Sequence, residues 1–213
     1  MYGIEKKSNK SKLFILFIQL VYLVVDLNIL NKGEFHPNVY FALWFALVLT
    51  FIRLNLMMFV WLPRGISWKE AIGNSCAFGI YYIGFPLFAL YSSTYSPVVL
   101  FIGYALFVIG SLINTMSELL RKPFKDDPSN KGKLYTGGLF KYSIHINYFG
   151  DILWVLGFAL LTMNVYAILV PIGLTLLFTL SYIPNADNYL RKKYGEAFIE
   201  YEKKTKRLVP YIW

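Results

Sequence analysis

The chain has 213 residues, of which 57% are hydrophobic and only 15% are charged, and its formal net charge is +9. This composition excludes a soluble globular domain and is typical of an integral membrane protein. The positive charge indicates attraction to anionic membrane lipid. The basic residues are not interleaved with aromatic side chains that could stack on bases, which argues against a nucleic-acid partner.

Six apolar segments are long enough to cross about 30 Å of hydrocarbon as helices. They cover residues 13–30, 39–62, 71–93, 98–119, 147–163 and 166–184, the fifth being the shortest. The first segment follows Lys6, Lys7, Lys10 and Lys12, but it is too long for a cleaved leader and no small-residue cleavage site follows it. The sequence therefore predicts an all-α integral membrane protein, a bundle of about six transmembrane helices.

The basic residues are distributed asymmetrically on this map. Nineteen of the 21 lysines and arginines fall on one side, Lys32 falls on the other, and Arg53 lies within a helix. Because cytoplasmic loops carry the excess of basic residues, both termini are predicted to be cytoplasmic.

The tail from residue 185 to residue 213 is polar but periodic. Leu190, Tyr194, Phe198 and Tyr201 recur at helical spacing among many charged residues. We expect an amphipathic helix lying on the cytoplasmic face, which Pro210 ends.

A polar connection of unusual length, about residues 120–143, separates the fourth and fifth predicted helices. Its lysines are Lys122, Lys125, Lys131, Lys133 and Lys141, and its glycines are Gly132, Gly137 and Gly138. Ammonium groups and accessible backbone amides suit a ligand that carries phosphate. The alternative is that these lysines only determine topology.

A short polar cluster follows at the start of the fifth helix: His145, Asn147, Tyr148 and Asp151. Polar groups at this depth cost free energy unless they are paired, so the cluster indicates a binding site close to the membrane surface. The plainer alternative is a helix cap with its partner, since Ser143 and Asn147 are both suitable N-cap residues.

Ionisable residues inside predicted membrane helices are candidates for catalysis. Glu118 and Arg53 are the clearest, with Asn55, Tyr81 and Tyr82 as further candidates. Each has a structural alternative: Arg53 can extend its head group towards water, Glu118 can pair with a loop lysine, and the tyrosines can simply pack. No metal site is predicted.

The stretch FKDDPSNKGKLYTGGLFKYSIHINYFGD, residues 124–151, resembles the signature of the steroid 5-alpha-reductase C-terminal-like membrane proteins. The tail RKKYGEAFIEYEKKTKRLVPYIW is similar to the same family, and the collinear resemblance covers about residues 115–213. It implies a single membrane domain in which residues 1–114 form the substrate side and residues 115–213 bind the cofactor. The implied activity is NADPH-dependent reduction of a carbon–carbon double bond in a lipid such as a steroid or sterol.

The resemblance also implies roles for particular residues. The positions implied to bind the dinucleotide are Lys125, Lys131, Lys133, Lys141, His145, Asn147, Tyr148, Asp151 and Asp187. Asp187 stands where the family usually carries a glutamate. Tyr148 joins Glu118 and Arg53 as a catalytic candidate. The implied partners are membrane lipids and a lipid-like substrate.

One departure from the family pattern affects the proposed site. The family reads Arg-His-Pro where this chain reads Ile144-His145-Ile146. The change removes an arginine that could grip phosphate, and a lysine such as Lys141 cannot reproduce its planar bidentate fork.

Two other functions remain open. The isoprenylcysteine carboxyl methyltransferases and related phospholipid methyltransferases share a similar C-terminal arrangement and bind S-adenosylmethionine, and His145, Tyr148, Gly150 and Asp187 would serve that reaction too. A later pair of acids is more usual there, and Ala186-Asp187-Asn188 supplies one. The missing arginine and proline also allow a non-catalytic relative that binds lipid or a partner.

Overall fold

The computed structural model of the chain describes residues 9–62, 64–92 and 94–213. Lys6 and Lys7, on which part of the predicted charge asymmetry rests, lie outside the described residues, as does Ser93 at the end of the third predicted segment. The described residues are helical apart from short connections, which include an isolated bridge between Ser143 and Lys206. The prediction of an all-α membrane protein is confirmed.

Five described helices are long and apolar enough to cross a membrane. They are α1 (Lys10–Lys32), α2 (Pro37–Trp61), α3 (Trp68–Leu90), α4 (Pro97–Asp126) and α6 (Val165–Tyr194). The shorter apolar helix α5 (Ile146–Leu161) lies between α4 and α6, and α7 (Glu196–Lys204) follows α6. All six predicted apolar segments are therefore helices, and the fifth is the shortest, as the sequence predicts.

Two helix ends differ from the prediction. Helix α4 continues to Asp126, past the predicted end at residue 119, because ion pairs at helical spacing stabilise its polar last turns. Glu118 contacts both Arg121 and Lys125, and Lys122 Nζ lies 2.6 Å from Asp126 Oδ2.

The amphipathic tail is not one helix. Its first part continues α6 as far as Tyr194, and Gly195 then adopts a φ of +55°, a left-handed conformation that ends a helix at low cost for glycine. Helix α7 begins at the next residue and carries Phe198 and Tyr201 on its buried face.

The chain divides into two compact units. Unit 1 comprises the described residues up to Tyr104 together with Phe158–Ala167, and unit 2 comprises Ala105–Gly157 together with Ile168–Trp213.

In unit 1, the N-terminal turn of α1 binds the α2–α3 connection. Ser11 Oγ donates to the Ile66 carbonyl at 2.6 Å, and Lys12 Nζ donates to the Leu62 carbonyl at 2.7 Å. Helix α3 starts with a capping box in which Ser67 and Glu70 bond each other's backbone amides. These polar contacts close over an apolar cluster centred on Ile15, Met58 and Ile66.

In unit 2, α4 and α5 approach each other through two glycines. A Cβ at Gly110 would meet the backbone nitrogen of Trp154 and would lie 2.7 Å from the Gly150 carbonyl. A Cβ at Gly150 would lie 2.6 Å from the Asn114 backbone nitrogen. Small residues commonly allow membrane helices to pack this closely. The contact brings Asn114 of α4 against the first turns of α5.

Replacing Gly150 with alanine should therefore reduce stability, because the new methyl group meets backbone atoms that cannot move aside. We expect the free energy of unfolding in detergent to fall by about 1–3 kcal/mol. Gly173→Ala in α6 is the matched control, since a Cβ there meets nothing within 4 Å. It should be neutral or slightly stabilising. Equal effects at both positions would contradict the close helix crossing.

Candidate functional site

The start of α5 is fixed by the C-terminal segment, residues 206–208. The backbone amide of Ile144 donates to the Lys206 carbonyl at 2.8 Å, and that of His145 donates to the Arg207 carbonyl at 2.9 Å. Ser143 is fully buried, and its Oγ donates to the Leu208 carbonyl at 2.8 Å. Ser143 therefore bonds the tail instead of capping α5, and the tail holds His145 in place.

His145 and Asp187 form a buried pair, each with 4% of its surface exposed. His145 Nε2 lies 2.7 Å from Asp187 Oδ1, and Arg207 Nε lies 3.4 Å from Asp187 Oδ2. A buried carboxylate needs such partners, because desolvation is otherwise costly. Asp187 thus connects α6 to the start of α5 and to the tail.

Tyr148 lies beside this pair in a stack of rings. Its ring is nearly parallel to that of His145, with centroids 5.3 Å apart, and to that of Phe178, with centroids 4.5 Å apart. Stacking of this kind favours parallel orientations of the imidazole and the phenol.

Arg207 is itself held by an ion-pair network at the surface of unit 2. Glu202 contacts Arg207 at 2.9 Å and Arg191 at 2.7 Å. The hydrogen bond from Arg207 lowers the pKa of the Glu202 carboxyl, and the same bond raises the pKa of Arg207. Both groups therefore stay charged, and Arg207 remains directed at Asp187.

Asp151 occupies a second polar position, one turn into α5. Its Oδ1 accepts hydrogen bonds from Asn114 Nδ2 at 2.9 Å and from Trp154 Nε1 at 2.8 Å. Asn114 also donates to the Asn147 carbonyl at 3.1 Å. The glycine contact between α4 and α5 places Asn114 within reach of both residues.

The predicted lysines lie in the polar part of unit 2, residues 121–143 together with α7, which we call the polar edge of unit 2. Lys131 and Lys133 are exposed on either side of Gly132, whose φ is +85°. Lys125 contacts Glu118 at 3.3 Å. Lys141 lines an open cavity of about 340 Å³, together with Thr136, Glu200, Lys204 and Thr205. Burial raises the pKa of the Tyr201 phenol at the wall of this cavity, which keeps it a donor to the Phe140 carbonyl.

The structure brings some of the predicted site residues into contact and leaves others apart. His145 contacts both Tyr148 and Asp187, whereas Lys131 and Lys133 remain in the exposed loop. Glu118 contacts two cations, which is the pairing the sequence left open as an alternative. Arg53 lies in α2 and belongs to unit 1, where it is 7% exposed.

Four residues of the site were not predicted: Asn114, Trp154, Glu202 and Arg207. A buried amide in an apolar helix is an informative signal, and it could have identified Asn114. Arg207 was visible only as one more basic residue of the tail, because its partners lie 20 and 62 positions away in the sequence, at Asp187 and His145.

One protein family matches more than half of the chain. Residues 75–205 match the family described as "Protein of unknown function (DUF1295)". The chain belongs to this family of steroid 5-alpha-reductase C-terminal-like membrane proteins. The match includes His145, Tyr148, Asp151 and Asp187.

Individual relatives give two activities. The chain is 30% identical over 126 residues to rat "3-oxo-5-alpha-steroid 4-dehydrogenase 1", covering 59% of this chain and 47% of the relative. It is 29% identical over 119 residues to the rat enzyme named type 2, covering 56% and 45%. It is also 35% identical over 92 residues to "Probable O-methyltransferase ustE" of Ustilaginoidea virens, covering 43% and 32%. The chain spans about half the length, or less, of these curated relatives.

The structure predicts the result of restoring the family arginine at position 144. Ile144 is 4% exposed and packs against Phe198 and Tyr201 in an apolar cluster. Ile144→Arg would bury a charge in that cluster, so we expect the free energy of unfolding to fall by several kcal/mol. Ile144→Leu, which keeps the volume, should cost less than about 1.5 kcal/mol. Thermal unfolding in detergent measures both, and an arginine variant as stable as the leucine variant would refute the packing argument.

The pairing of Glu202 predicts a dependence of stability on pH. Because its folded pKa is lowered, the pair stabilises the protein above the unfolded pKa and loses its effect as pH falls through the folded pKa. At pH 7, Glu202→Gln should cost about 1 kcal/mol or less. The difference from the parent should shrink below about pH 4. Melting curves from pH 3 to pH 7 test this. Glu200→Gln, which removes a more exposed glutamate paired to Lys203, should cost less at pH 7 than Glu202→Gln, which removes a contact to two arginines.

Proposed function

We propose that the protein is a membrane-embedded, NADPH-dependent reductase of a carbon–carbon double bond conjugated to a carbonyl group in a lipid such as a steroid or sterol. The observation that carries the proposal is the similarity to two relatives named 3-oxo-5-alpha-steroid 4-dehydrogenases. Membership of the family over residues 75–205 supports it, because that range contains the whole His145–Asp187 pair.

The polar edge of unit 2 is the proposed place for the dinucleotide. Two ammonium groups and two hydroxyl groups around one cavity suit phosphate oxygens, and these come from Lys141, Lys204, Thr136 and Thr205. Exposed Lys131 and Lys133 would add charge, and Asn147, Tyr148 and Asp151 would orient the base or sugar. When bound, NADPH would supply the hydride.

The chain must supply orientation, exclusion of water and one acid. Among the three catalytic candidates, Tyr148 is the proposed proton donor. The Glu118 carboxylate already accepts from Arg121, and the guanidinium of Arg53 does not release its proton. Glu118 is better suited to hold Arg121 and Lys125 in position. Arg53 would act in unit 1, on a polar group of the substrate.

We also propose the membrane topology that the sequence predicts, and the same assignment of substrate and cofactor to two parts of the chain. Residues 1–114 would form the substrate side and residues 115–213 the cofactor side, with both termini cytoplasmic. The charge distribution supports this orientation, because nineteen of the 21 basic residues fall on one side of the helix map. Membrane lipids and a lipid-like substrate are the proposed partners.

A second candidate function is methyl transfer from S-adenosylmethionine. The match to the probable O-methyltransferase supports it, since its identity of 35% exceeds that of the reductases, although over only 92 residues. The pair of His145 and Asp187 would serve either reaction. The longer matches favour the reductase.

Thermal stability of the purified protein with separate ligands distinguishes these functions. Ligand at about one hundred times its dissociation constant should stabilise the folded state by roughly 2.7 kcal/mol. We expect a shift with NADPH, and NADPH consumption when a 3-oxo-4-ene steroid is added. A shift with S-adenosylmethionine alone would favour the methyltransferase. No shift with either ligand would favour a non-catalytic relative.

Lysine variants then locate the NADPH site. Lys133 is exposed, so Lys133→Ala should leave the ligand-free stability unchanged while weakening NADPH binding by roughly tenfold through loss of one charge-assisted contact. Lys32→Ala removes the same charge from an exposed residue at the end of α1 and should leave NADPH affinity unchanged. Equal losses in both variants would indicate non-specific attraction.

A further inference from the structure

Helix α1 carries polar side chains into the interior of unit 1. Gln19, Tyr22 and Asp26 are spaced three and four residues apart, which places them along one face of the helix. Gln19 and Asp26 are completely buried, with 0% of their surface exposed. A carboxyl group in an apolar membrane helix is costly, and such groups usually have a function.

Hydrogen bonds already hold the side chains around Gln19 and Tyr22. The fully buried Tyr82 of α3 donates its hydroxyl to Gln19 Oε1 at 2.9 Å, and Asn55 Nδ2 of α2 donates to the same oxygen at 3.2 Å. The Tyr22 ring stacks on Tyr82 with centroids 6.1 Å apart, and its hydroxyl donates to the Ser75 carbonyl. These bonds hold the three helices in register around Gln19.

Other buried polar atoms of unit 1 have no hydrogen-bond partner among the described residues. Arg53 aside, six buried side-chain atoms in the described part of unit 1 accept or donate no hydrogen bond: both carboxyl oxygens of Asp26, Gln19 Nε2, Thr50 Oγ1, Asn55 Oδ1 and Ser75 Oγ. Each such group costs about 1–3 kcal/mol when it is left without a partner. Buried polar groups in native proteins are nearly always bonded to protein, water or ligand. The six atoms on α1, α2 and α3 therefore point to a polar partner from outside the chain.

The chemistry of these atoms selects the ligand. Two of the six are the carboxyl oxygens of Asp26, and whether or not this group carries a proton, at least one of them can only accept. A ligand must therefore donate a hydrogen bond to satisfy Asp26. An ammonium group is disfavoured because moving a cation from water into an apolar interior costs far more than moving a neutral hydroxyl group. A hydroxyl group is neutral, and it can both donate to Asp26 and accept from a donor of the protein.

We propose that the interior of α1, α2 and α3 binds the hydroxyl-bearing polar end of an amphipathic lipid, with Asp26 as the acceptor that selects for a hydroxyl over a ketone or an ether. This proposal rests on the proposed function in taking that lipid to be the substrate. It deepens the function by naming the polar group that the substrate carries in addition to its conjugated carbonyl.

Binding of matched lipids, measured without NADPH, tests the proposal. The first pair is two 3-oxo-4-ene steroids that differ only in a hydroxyl or a ketone on the five-membered ring, and the second is oleyl alcohol and its methyl ether. For at least one pair, the full-length protein in detergent should bind the hydroxyl form about tenfold or more tightly. Equal affinities within both pairs, as expected if water satisfies Asp26, would overturn the proposal, and so would binding of no probe.

Variants of α1 assign the preference to Asp26. Asp26→Leu should abolish the discrimination while leaving the affinity for the ketone or ether within about twofold, and it should not lower the ligand-free melting temperature, because it removes a buried carboxyl. Asn28→Leu is the control on the same helix. Asn28 is exposed, and among the described residues its side chain bonds only the Val24 carbonyl. The Asn28→Leu variant should therefore still bind the hydroxyl form more tightly. A preference that survives in Asp26→Leu would overturn the assignment.

A variant that keeps the shape of the side chain covers the case in which Asp26→Leu does not fold. Asp26→Asn retains one acceptor oxygen without charge, so the hydroxyl preference should fall severalfold. An unchanged preference would count against Asp26. The experiments can reject either proposal without the other. A hydroxyl preference without NADPH binding would support this lipid site and reject the reductase. NADPH consumption without a hydroxyl preference would support the reductase and reject this lipid site.

Discussion

The Asp187 carboxylate is buried in an apolar helical protein, and it is stable there because His145 and Arg207 both contact it. This requirement for pairing organises unit 2. His145 must lie at the start of α5, so Ser143 and Ile144 bond the tail, and Arg207 must reach inward, so Glu202 and Arg191 hold it from outside. The same rule accounts for Asp151 with Asn114 and for Glu118 with Arg121. Asp26 of unit 1 departs from this rule, since neither of its carboxyl oxygens has a hydrogen-bond partner among the described residues, and the proposed lipid site rests on that departure.

The helices could be predicted from the sequence because hydrocarbon thickness imposes a minimum apolar length, and all six segments exceed it or approach it. Their ends were less predictable. The polar turns of α4 past residue 119 are held by ion pairs between residues that read as loop, and Gly195 divides a tail whose periodicity continues across it. Apolar patterning does not register either effect, because both depend on local contacts between individual polar or backbone groups.

The site was partly predictable for a related reason. His145, Tyr148 and Asp187 belong to recognisable motifs, and the structure does bring them together. Arg207 and Asn114 act through tertiary contacts: one depends on the tail folding back, and the other on the glycine contact between α4 and α5. Position 144 shows the converse. The motif suggests an arginine directed at phosphate, yet in this chain residue 144 packs against Phe198 and Tyr201. The cation beside the pair of His145 and Asp187 is Arg207, which comes from the tail.

The bonds between residues 143–145 and residues 206–208 also have a consequence for biosynthesis. A ribosome releases α5 well before it has made Lys206, Arg207 and Leu208, so the start of α5 enters the membrane surface without the backbone partners that later fix it. His145 gains its final position only when the tail emerges and folds back. The polar centre of unit 2 is therefore completed only after residue 208 has been made, and a nascent chain that stalls before this point has its membrane helices but not its site.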